Sequence, residues 1–488
     1  MGFTRRLSWT VAAVVASATL FFFGTGLSPV AALTWFAPIP LLLLAPRLSG
    51  WAAAAAAFTA ALLGTANSWS YQARSHDVAL VPIGILIDCG TALVFVLTVL
   101  LFRALARKGR VLTAAIAASA AWVGAFYVVC VANPTGLVGS LANDQGDVPL
   151  VLQTAAVTGM WGVEFLVMFA PAAVAAVCLG DRGWVRLRAG AVAVAVLGLA
   201  FASGALRLAE APVSATRVAA VAPNQYKWAP EVGTPAGRDL VAAYVRQIDS
   251  LPAGVKVVVL PEGAFGTHAA DISALAEPMR ETARGRGIDI VLGLVRYDQR
   301  TPRNLALVFP GEGGEPVSYL KHHDTVSVPG HDLVKVPVGE SVAGVEICAD
   351  VDFPSPSRDY AKTGSGFLAV PASDENVNGW QHSRTALLRG VENGQPLVWS
   401  DQNGTVLVAD GWGRVVAEAH TGGAGPFTTV VANLPGGPGA TLYSRFGDWF
   451  AWLCLAIALG CALSLVWRGR FLNRDSTRSA GTASPARL

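Results

Sequence analysis

Residues 344–350 read Gly-Val-Glu-Ile-Cys-Ala-Asp. A short apolar run that stops at a cysteine has the form of a buried strand delivering a thiol to a sheet edge. Cys348 is one of six cysteines. The other five (Cys89, Cys130, Cys178, Cys454 and Cys461) lie in long apolar runs and read as small packing residues. Cys348 has no disulfide partner in its own segment, so it is either a buried bystander or a working nucleophile. Two further strand ends weigh on that choice. Val-Val-Val-Leu-Pro-Glu at 257–262 places Glu262 just after a buried strand, and Ser-Tyr-Leu-Lys at 318–321 places Lys321 at the end of another. In α/β sheets the carboxyl ends of strands are where ligands meet the chain. A thiol there attacks a carbonyl carbon and a carboxylate takes its proton. An ammonium supports the charge developing on the carbonyl oxygen and favours the thiolate. Singly, these residues read as a core cysteine, a turn acid and a surface lysine. Together, in this order, they read as a reactive set.

The surroundings of that set are a segment of about 212–445 in which short β runs alternate with helical stretches. Candidate strands are 217–222, 256–260, 290–295, 305–309, 344–347, 367–370, 397–400 and 428–432. Candidate helices cover about 234–250, 270–286, 354–363 and 381–393. This pattern predicts a layered α/β domain.

Outside the segment the chain changes character. Of 488 residues 53% are hydrophobic and 14% charged, against roughly a quarter charged in ordinary soluble domains. With a net charge of +3, bulk positive charge for nucleic-acid binding is excluded. The apolar residues gather in runs near 7–24, 30–46, 51–70, 79–102, 111–132, 155–179, 187–208 and 446–467. Each is close to the ~20 residues that a spanning helix needs. Arg5 and Arg6 before the first run also suit a signal peptide, but apolar runs follow it directly. The expected organisation is a seven-span region (1–211), a globular domain (212–445), an eighth span (446–467) and a disordered cytoplasmic tail (468–488). With the N-terminus inside, fifteen Lys and Arg fall in the inner segments, against Arg74 and Arg207 outside. Positive charge stays on the cytoplasmic side. The globular domain is therefore expected outside a cytoplasmic (inner) membrane.

Asp88 and Glu164 fall within spans. An acid at bilayer depth costs about 2.5–3.5 kcal/mol on insertion scales. The plain reading is a carboxyl paired inside the bundle, and the sharper one is a proton or ion path. His322, His323 and His331 lack an evident fourth ligand, so no metal is expected.

The contexts Leu260-Pro261-Glu262-Gly263, Tyr319-Leu320-Lys321-His322-His323 and Glu346-Ile347-Cys348-Ala349-Asp350 resemble those of the nitrilase, or carbon-nitrogen hydrolase, superfamily. With seven spans before the domain and one after, the chain resembles its membrane-embedded branch, the apolipoprotein N-acyltransferases. Supporting stretches are Lys227-Trp228, Trp380-Gln381-His382, 389–393, 402–404 and 443–449, with Pro149, Gln153, Gly159 and Gly162 before the sixth span. The resemblance implies an α-β-β-α sandwich on an eight-span membrane part. It implies Cys348 as nucleophile, Glu262 as general base and Lys321 as oxyanion support, with no cofactor. The implied reaction takes an acyl chain from a phospholipid onto the cysteine. It then passes the chain to the α-amine of a lipoprotein's diacylglyceryl-cysteine. Trp380, His331 and Asp350 are candidate substrate contacts, with Trp380 also reading as a packing residue. The chain departs from the family where His331 stands near the position of a further acid, for which Asp324 or Asp332 are candidates. It also departs in the short stretch from Lys321 to Cys348.

The rival expectation is a tethered amidase of the same superfamily, with water as acceptor. A third is a catalytically altered homologue that binds lipoproteins, and a transporter is the most distant. A monomer is the simplest assembly.

Overall fold

The computed structural model describes residues 3–74, 79–137, 139–211, 215–297, 301–374 and 379–479. Among the described residues six helices are long and apolar enough to cross a membrane: Arg6–Gly24, Leu80–Ala106, Val111–Ala132, Met160–Leu179, Gly183–Leu208 and Trp449–Trp467. Helix Val111–Ala132 lies at the centre of the bundle. It packs against Leu80–Ala106, Met160–Leu179 and the final helix, and its inner face is almost all Ala, Val, Trp and Phe.

Two expected spans fold differently. The run at 30–46 breaks into helices Ala31–Thr34 and Ile39–Leu44 and a 3-10 turn, Ala45–Arg47. Pro38, Pro40 and Pro46 explain the breaks, since proline removes a backbone donor and clashes with the preceding turn. The run at 51–70 gives one helix of 15 residues, Gly50–Gly64, about 22 Å long against roughly 30 Å of hydrocarbon. It continues into a 3-10 turn and the short helix Trp69–Gln72. At the other end the final helix runs on to Ser479 instead of giving way to an irregular tail at 468. No proline interrupts this stretch. The rest of that expected tail, 480–488, lies outside the described residues.

Both intramembrane acids are paired. Glu164 accepts from Trp122 Nε1 and Ser140 Oγ, both at 2.7 Å, and from Ala142 N at 3.0 Å. Asp88 accepts from Trp69 Nε1 at 2.9 Å. This is the plain reading of both.

The domain between the last two spans is a four-layer sandwich. Among the described residues its strands are β1 (Ala215–Pro223), β2 (Val257–Val259), β3 (Phe265–Thr267), β4 (Asp289–Arg296), β5 (Arg303–Phe309), β6 (Val317–Leu320), β7 (Val334–Val338), β8 (Ser341–Val345), β9 (Phe367–Ala372), β10 (Leu397–Asp401), β11 (Thr405–Ala409), β12 (Val415–His420) and β13 (Phe427–Pro435). One sheet runs β13-β1-β2-β4-β5-β6, with β3 beside β4, and the other runs β12-β11-β10-β9-β8-β7. The pairs β1–β2, β2–β4, β3–β4, β8–β9 and β9–β10 are parallel, and the other pairs antiparallel.

Period-2 alternation explains the layers. In β1, Val218, Ala220 and Ala222 face the second sheet, whereas Ala219 and Val221 face helices Pro235–Asp249 and Ser273–Arg286. Helices Ser357–Lys362 and Gly379–Asn393 cover the other sheet. Both central sheets are thus buried on two faces, which is why their strands are nearly continuous Val, Ala, Ile and Leu. The α-β-β-α architecture implied above is the one observed.

Helix Gly379–Asn393 joins the two parts of the molecule. Glu392 Oε1 accepts from Met160 N at 2.6 Å, and Asn143 Nδ2 donates to Thr385 Oγ1 at 2.7 Å. Arg384 bridges Asp147 at 2.7 Å and Glu418 at 2.8 Å. The Glu392 contact is buried and charge-assisted, and with the Asn143 and Arg384 contacts it holds the sandwich against the helices.

Candidate active site

Three strand ends deliver the expected residues to one place. Glu262 follows β2 across Leu260-Pro261, Lys321 directly follows β6, and Cys348 opens the 3-10 turn Cys348–Asp352 after β8. All three line one cavity of about 870 Å³. The cavity does not stop at the sandwich. It continues between the membrane helices, where its walls include Thr25, Asn67, Gln72, Phe95 and Trp122.

Lys321 Nζ lies 2.7 Å from Glu262 Oε1, and both side chains are buried. The same carboxylate oxygen accepts from Asn304 Nδ2 at 2.6 Å. Burial works against the charge of Lys321, but Glu262, Cys348 and Asp324 outweigh it and raise its pKa, so the ammonium is secure. Burial pushes the Cys348 thiol up to about 12, with Glu262 adding to the rise, while His382 and Lys321 pull it back. Cys348 therefore rests as a thiol, and reaction at its sulfur requires a base.

Cys348 also has φ of +44°. A side chain at positive φ is strained by roughly 1–3 kcal/mol, which makes it a sharp presentation of the sulfur. Asp350 holds that turn. One of its oxygens accepts from Ile347 N at 2.9 Å and Tyr319 Oη at 2.7 Å, and the other from His322 N at 3.1 Å and His323 N at 2.8 Å.

Asp350 is therefore not free for the substrate contact expected of it. It is fully buried, and its oxygens tie the Cys348 turn to the chain just after Lys321. Trp380 also lies off the cavity wall: its indole donates to Asp147 at 3.3 Å and packs under Arg384. His331 is exposed and likewise absent from the cavity lining, whereas Asp324 is on it and shares Asn304 with Glu262. Burial raises the pKa of Asp324, but Lys321 and the Val326 and Ser327 amides lower it further, leaving it below the usual carboxylate range.

Residues that the sequence reading left aside complete the site. His382, at the start of helix Gly379–Asn393, has Nδ1 4.0 Å from Cys348 Sγ and 2.7 Å from Asp374 Oδ1. Its Nε2 is 3.5 Å from Asp352 Oδ2. Burial disfavours its charge, but Asp374, Asp352 and Cys348 outweigh it and hold its pKa well above the ordinary histidine value. The donors of Cys348, His382 and Asp374 lie within 4.8 Å of one another. The two carboxylates beside the ring favour its charged form, in which neither ring nitrogen has a lone pair to offer a cation. The one sequence signal for His382 was the Trp-Gln-His stretch opening a helix. Asn304 gave none, because its role depends on β5 lying beside β6.

The sandwich brings Glu262, Lys321 and Cys348 together from three strand ends, and residues 217–435, which form it, match the family model for carbon-nitrogen hydrolases. Residues 16–173 match a second model, the apolipoprotein N-acyltransferase N-terminal domain. In its two parts the chain is thus similar to the carbon-nitrogen hydrolases and to the N-terminal domain of the apolipoprotein N-acyltransferases. Curated relatives named apolipoprotein N-acyltransferase include one from Bradyrhizobium diazoefficiens, 27% identical over 366 residues, which cover 64% of this chain and 66% of the relative. Another, from Haemophilus ducreyi, is 23% identical over 308 residues, covering 54% of this chain and 60% of the relative. The matches thus span 60% and 66% of these relatives' own length. An amidase from Nesterenkonia sp. aligns at 22% identity and a TM-score of 0.38, over 46% of this chain and 93% of its own.

Proposed function

We propose that this protein moves an acyl chain from a membrane phospholipid, through a thioester on Cys348, to the N-terminal amine of a diacylglyceryl-cysteine lipoprotein. Glu262 accepts the thiol proton as sulfur attacks the ester carbonyl carbon, and Lys321 supports the oxyanion. The ester C–O bond breaks, and the lysophospholipid leaves with the proton from Glu262. The lipoprotein amine then attacks the thioester. The C–S bond breaks, an amide forms, and the proton that the amine loses passes through Glu262 to the sulfur. No cofactor takes part.

The observation that carries this reading is the cavity. It joins Cys348 to space between membrane helices, so a lipid-anchored donor and acceptor reach the sulfur without leaving the bilayer. A water-soluble amide needs no such chamber. In this reading the chain crosses the membrane eight times, the two broken runs completing the set. The lysine and arginine bias puts the 212–445 domain outside the cytoplasmic membrane, and the protein acts as a monomer.

The test is a two-substrate assay in detergent or proteoliposomes, with phospholipid and a diacylglyceryl-cysteine peptide carrying a free α-amine. The expected result is N-acylated peptide appearing in step with lysophospholipid. Turnover of small amides to acids, with no N-acylated peptide, would overturn the reading in favour of a tethered amidase.

A further inference from the structure

The proposed function leaves one buried titratable group beside the sulfur without a task. His382 is 11% exposed. Its ring stacks edge-on against Trp399, with centroids 4.9 Å apart, and its two nitrogens point at two different carboxylates, Asp374 and Asp352. Asp374 is itself fixed. Its backbone N–H donates to Asp401 Oδ1 at 3.0 Å, and its carbonyl accepts from Asn403 Nδ2 at 3.0 Å. The helix that carries His382 is pinned to the membrane part through Thr385, Arg384 and Glu392. The ring is therefore held by packing on one face and by carboxylates at both nitrogens.

The charge inventory around sulfur gives this placement a purpose. Glu262 has its Oε1 engaged by both Lys321 and Asn304, and its negative charge opposes a thiolate. The cations facing Cys348 are Lys321 from the end of β6 and His382 from the helix. Lys321 is already paired with Glu262 at 2.7 Å. His382 is the cation whose counter-charges, Asp374 at the end of β9 and Asp352 in the nucleophile turn, lie on its far sides while Nδ1 stands 4.0 Å from Sγ. With both ring nitrogens protonated, Nδ1–H serves Asp374, so the imidazolium acts on sulfur through its field and does not abstract the proton.

We propose that His382, clamped by Asp374 and Asp352, is a standing imidazolium that stabilises the Cys348 thiolate, so that Glu262 has a more acidic proton to remove. This rests on Cys348 being the nucleophile. The proton balance is simple: the thiol hydrogen passes to the Glu262 carboxylate, and His382 keeps both of its protons throughout. Asp374 is a positioning residue acting through His382.

The experiment is the pH profile of Cys348 alkylation by iodoacetamide in the full-length, detergent-purified protein. The adduct is located on Cys348 by peptide mass mapping, which separates it from the other five cysteines. In His382→Gln alkylation at each fixed pH from 7 to 9.5 should slow about tenfold, the change that a rise of about one unit in the thiol pKa produces. Asp374→Asn should shift the profile in the same direction, because the imidazole then loses its proton more readily. Asp374→Asn keeps the side-chain shape, so it carries the test if His382→Gln fails to fold by thermal melt. Profiles that coincide with wild type in folded protein would overturn the proposal. The readout involves no acyl transfer. A shifted profile in a protein that makes no N-acylated peptide removes the proposed function and leaves this inference standing. An unshifted profile in an active acyltransferase does the reverse.

Discussion

Asp350 accepts the backbone N–H of His323 at 2.8 Å, and this bond fixes the chain after Lys321 to the turn that carries Cys348. The relationship matters because Lys321 and Cys348 come from different sheets: β6 ends one edge and β8 lies within the other. One buried carboxylate sets their spacing and also holds Cys348 at positive φ. Asp350→Ala removes four hydrogen bonds and leaves buried donors unsatisfied, at about 1–3 kcal/mol each. The expected outcome is a lowered Tm in detergent and a loss of kcat larger than any change in KM. Steady-state kinetics beside a thermal melt check this.

The buried Glu262–Lys321 pair makes a second prediction. Removing one member leaves the other as an uncompensated buried charge, which costs about 3–5 kcal/mol. Lys321→Met is expected to abolish turnover and lower Tm sharply. The double variant Lys321→Met with Glu262→Gln should recover much of the Tm while staying inactive. Melting curves of wild type and the two variants give the comparison. A double variant no more stable than the single one would show that the pair is not energetically coupled.

Gly293 in β4 lies against the backbone that presents Glu262. A Cβ there would stand 2.4 Å from Glu262 Cα and Pro261 O. Backbone cannot yield as a side-chain tip does, so Gly293→Ala should displace Glu262, with an overpacking cost of about 1–3 kcal/mol. Activity is expected to fall at least tenfold. A matched Gly285→Ala, where a Cβ meets nothing within 4 Å, should behave as wild type. Both are read by the same acyl-transfer assay.

Glu346 gives a pH prediction. Burial pushes its carboxyl up to about 8, Asp350 adds to the rise, and Ser357 and Arg389 work against it. The folded state therefore binds a proton that the unfolded chain has released once pH passes the ordinary glutamate value near 4.5. From that value to about 8 this group lowers stability as pH rises. Glu346→Gln keeps the neutral shape and should flatten that slope. Tm of wild type should fall more than that of the variant between pH 5 and 8.5, as measured by differential scanning fluorimetry.

Much of this fold was legible in the sequence because its signals are local. Strand runs such as 367–370 and 397–400 are buried on both faces, so they read as continuous apolar stretches, and the observed β9 and β10 extend them by one or two residues. Glu262, Lys321 and Cys348 were legible because each is the polar end of such a run. What escaped was non-local. The run at 51–70 has the composition of a span, and its helix stops at Gly64 where polar Thr65, Asn67 and Ser68 turn toward the cavity. Asp350 looked like a substrate contact because its partners, Tyr319, His322 and His323, are 27 residues or more away in the chain. His382 and Asp374 were not singled out, because nothing in the spacing of either predicts that a helix start and the end of β9 converge on one sulfur.

The central claim is a covalent acyl group on Cys348, and intact-protein mass spectrometry tests it most directly. Wild type incubated with phospholipid alone should gain the mass of one acyl chain, mapped to Cys348 and released by hydroxylamine. Cys348→Ala should gain none. Subsequent addition of a diacylglyceryl-cysteine peptide should discharge the adduct into N-acylated peptide. A wild-type sample that converts donor and acceptor to product, yet never carries acyl mass on Cys348 and loses no activity in Cys348→Ala, would contradict the account.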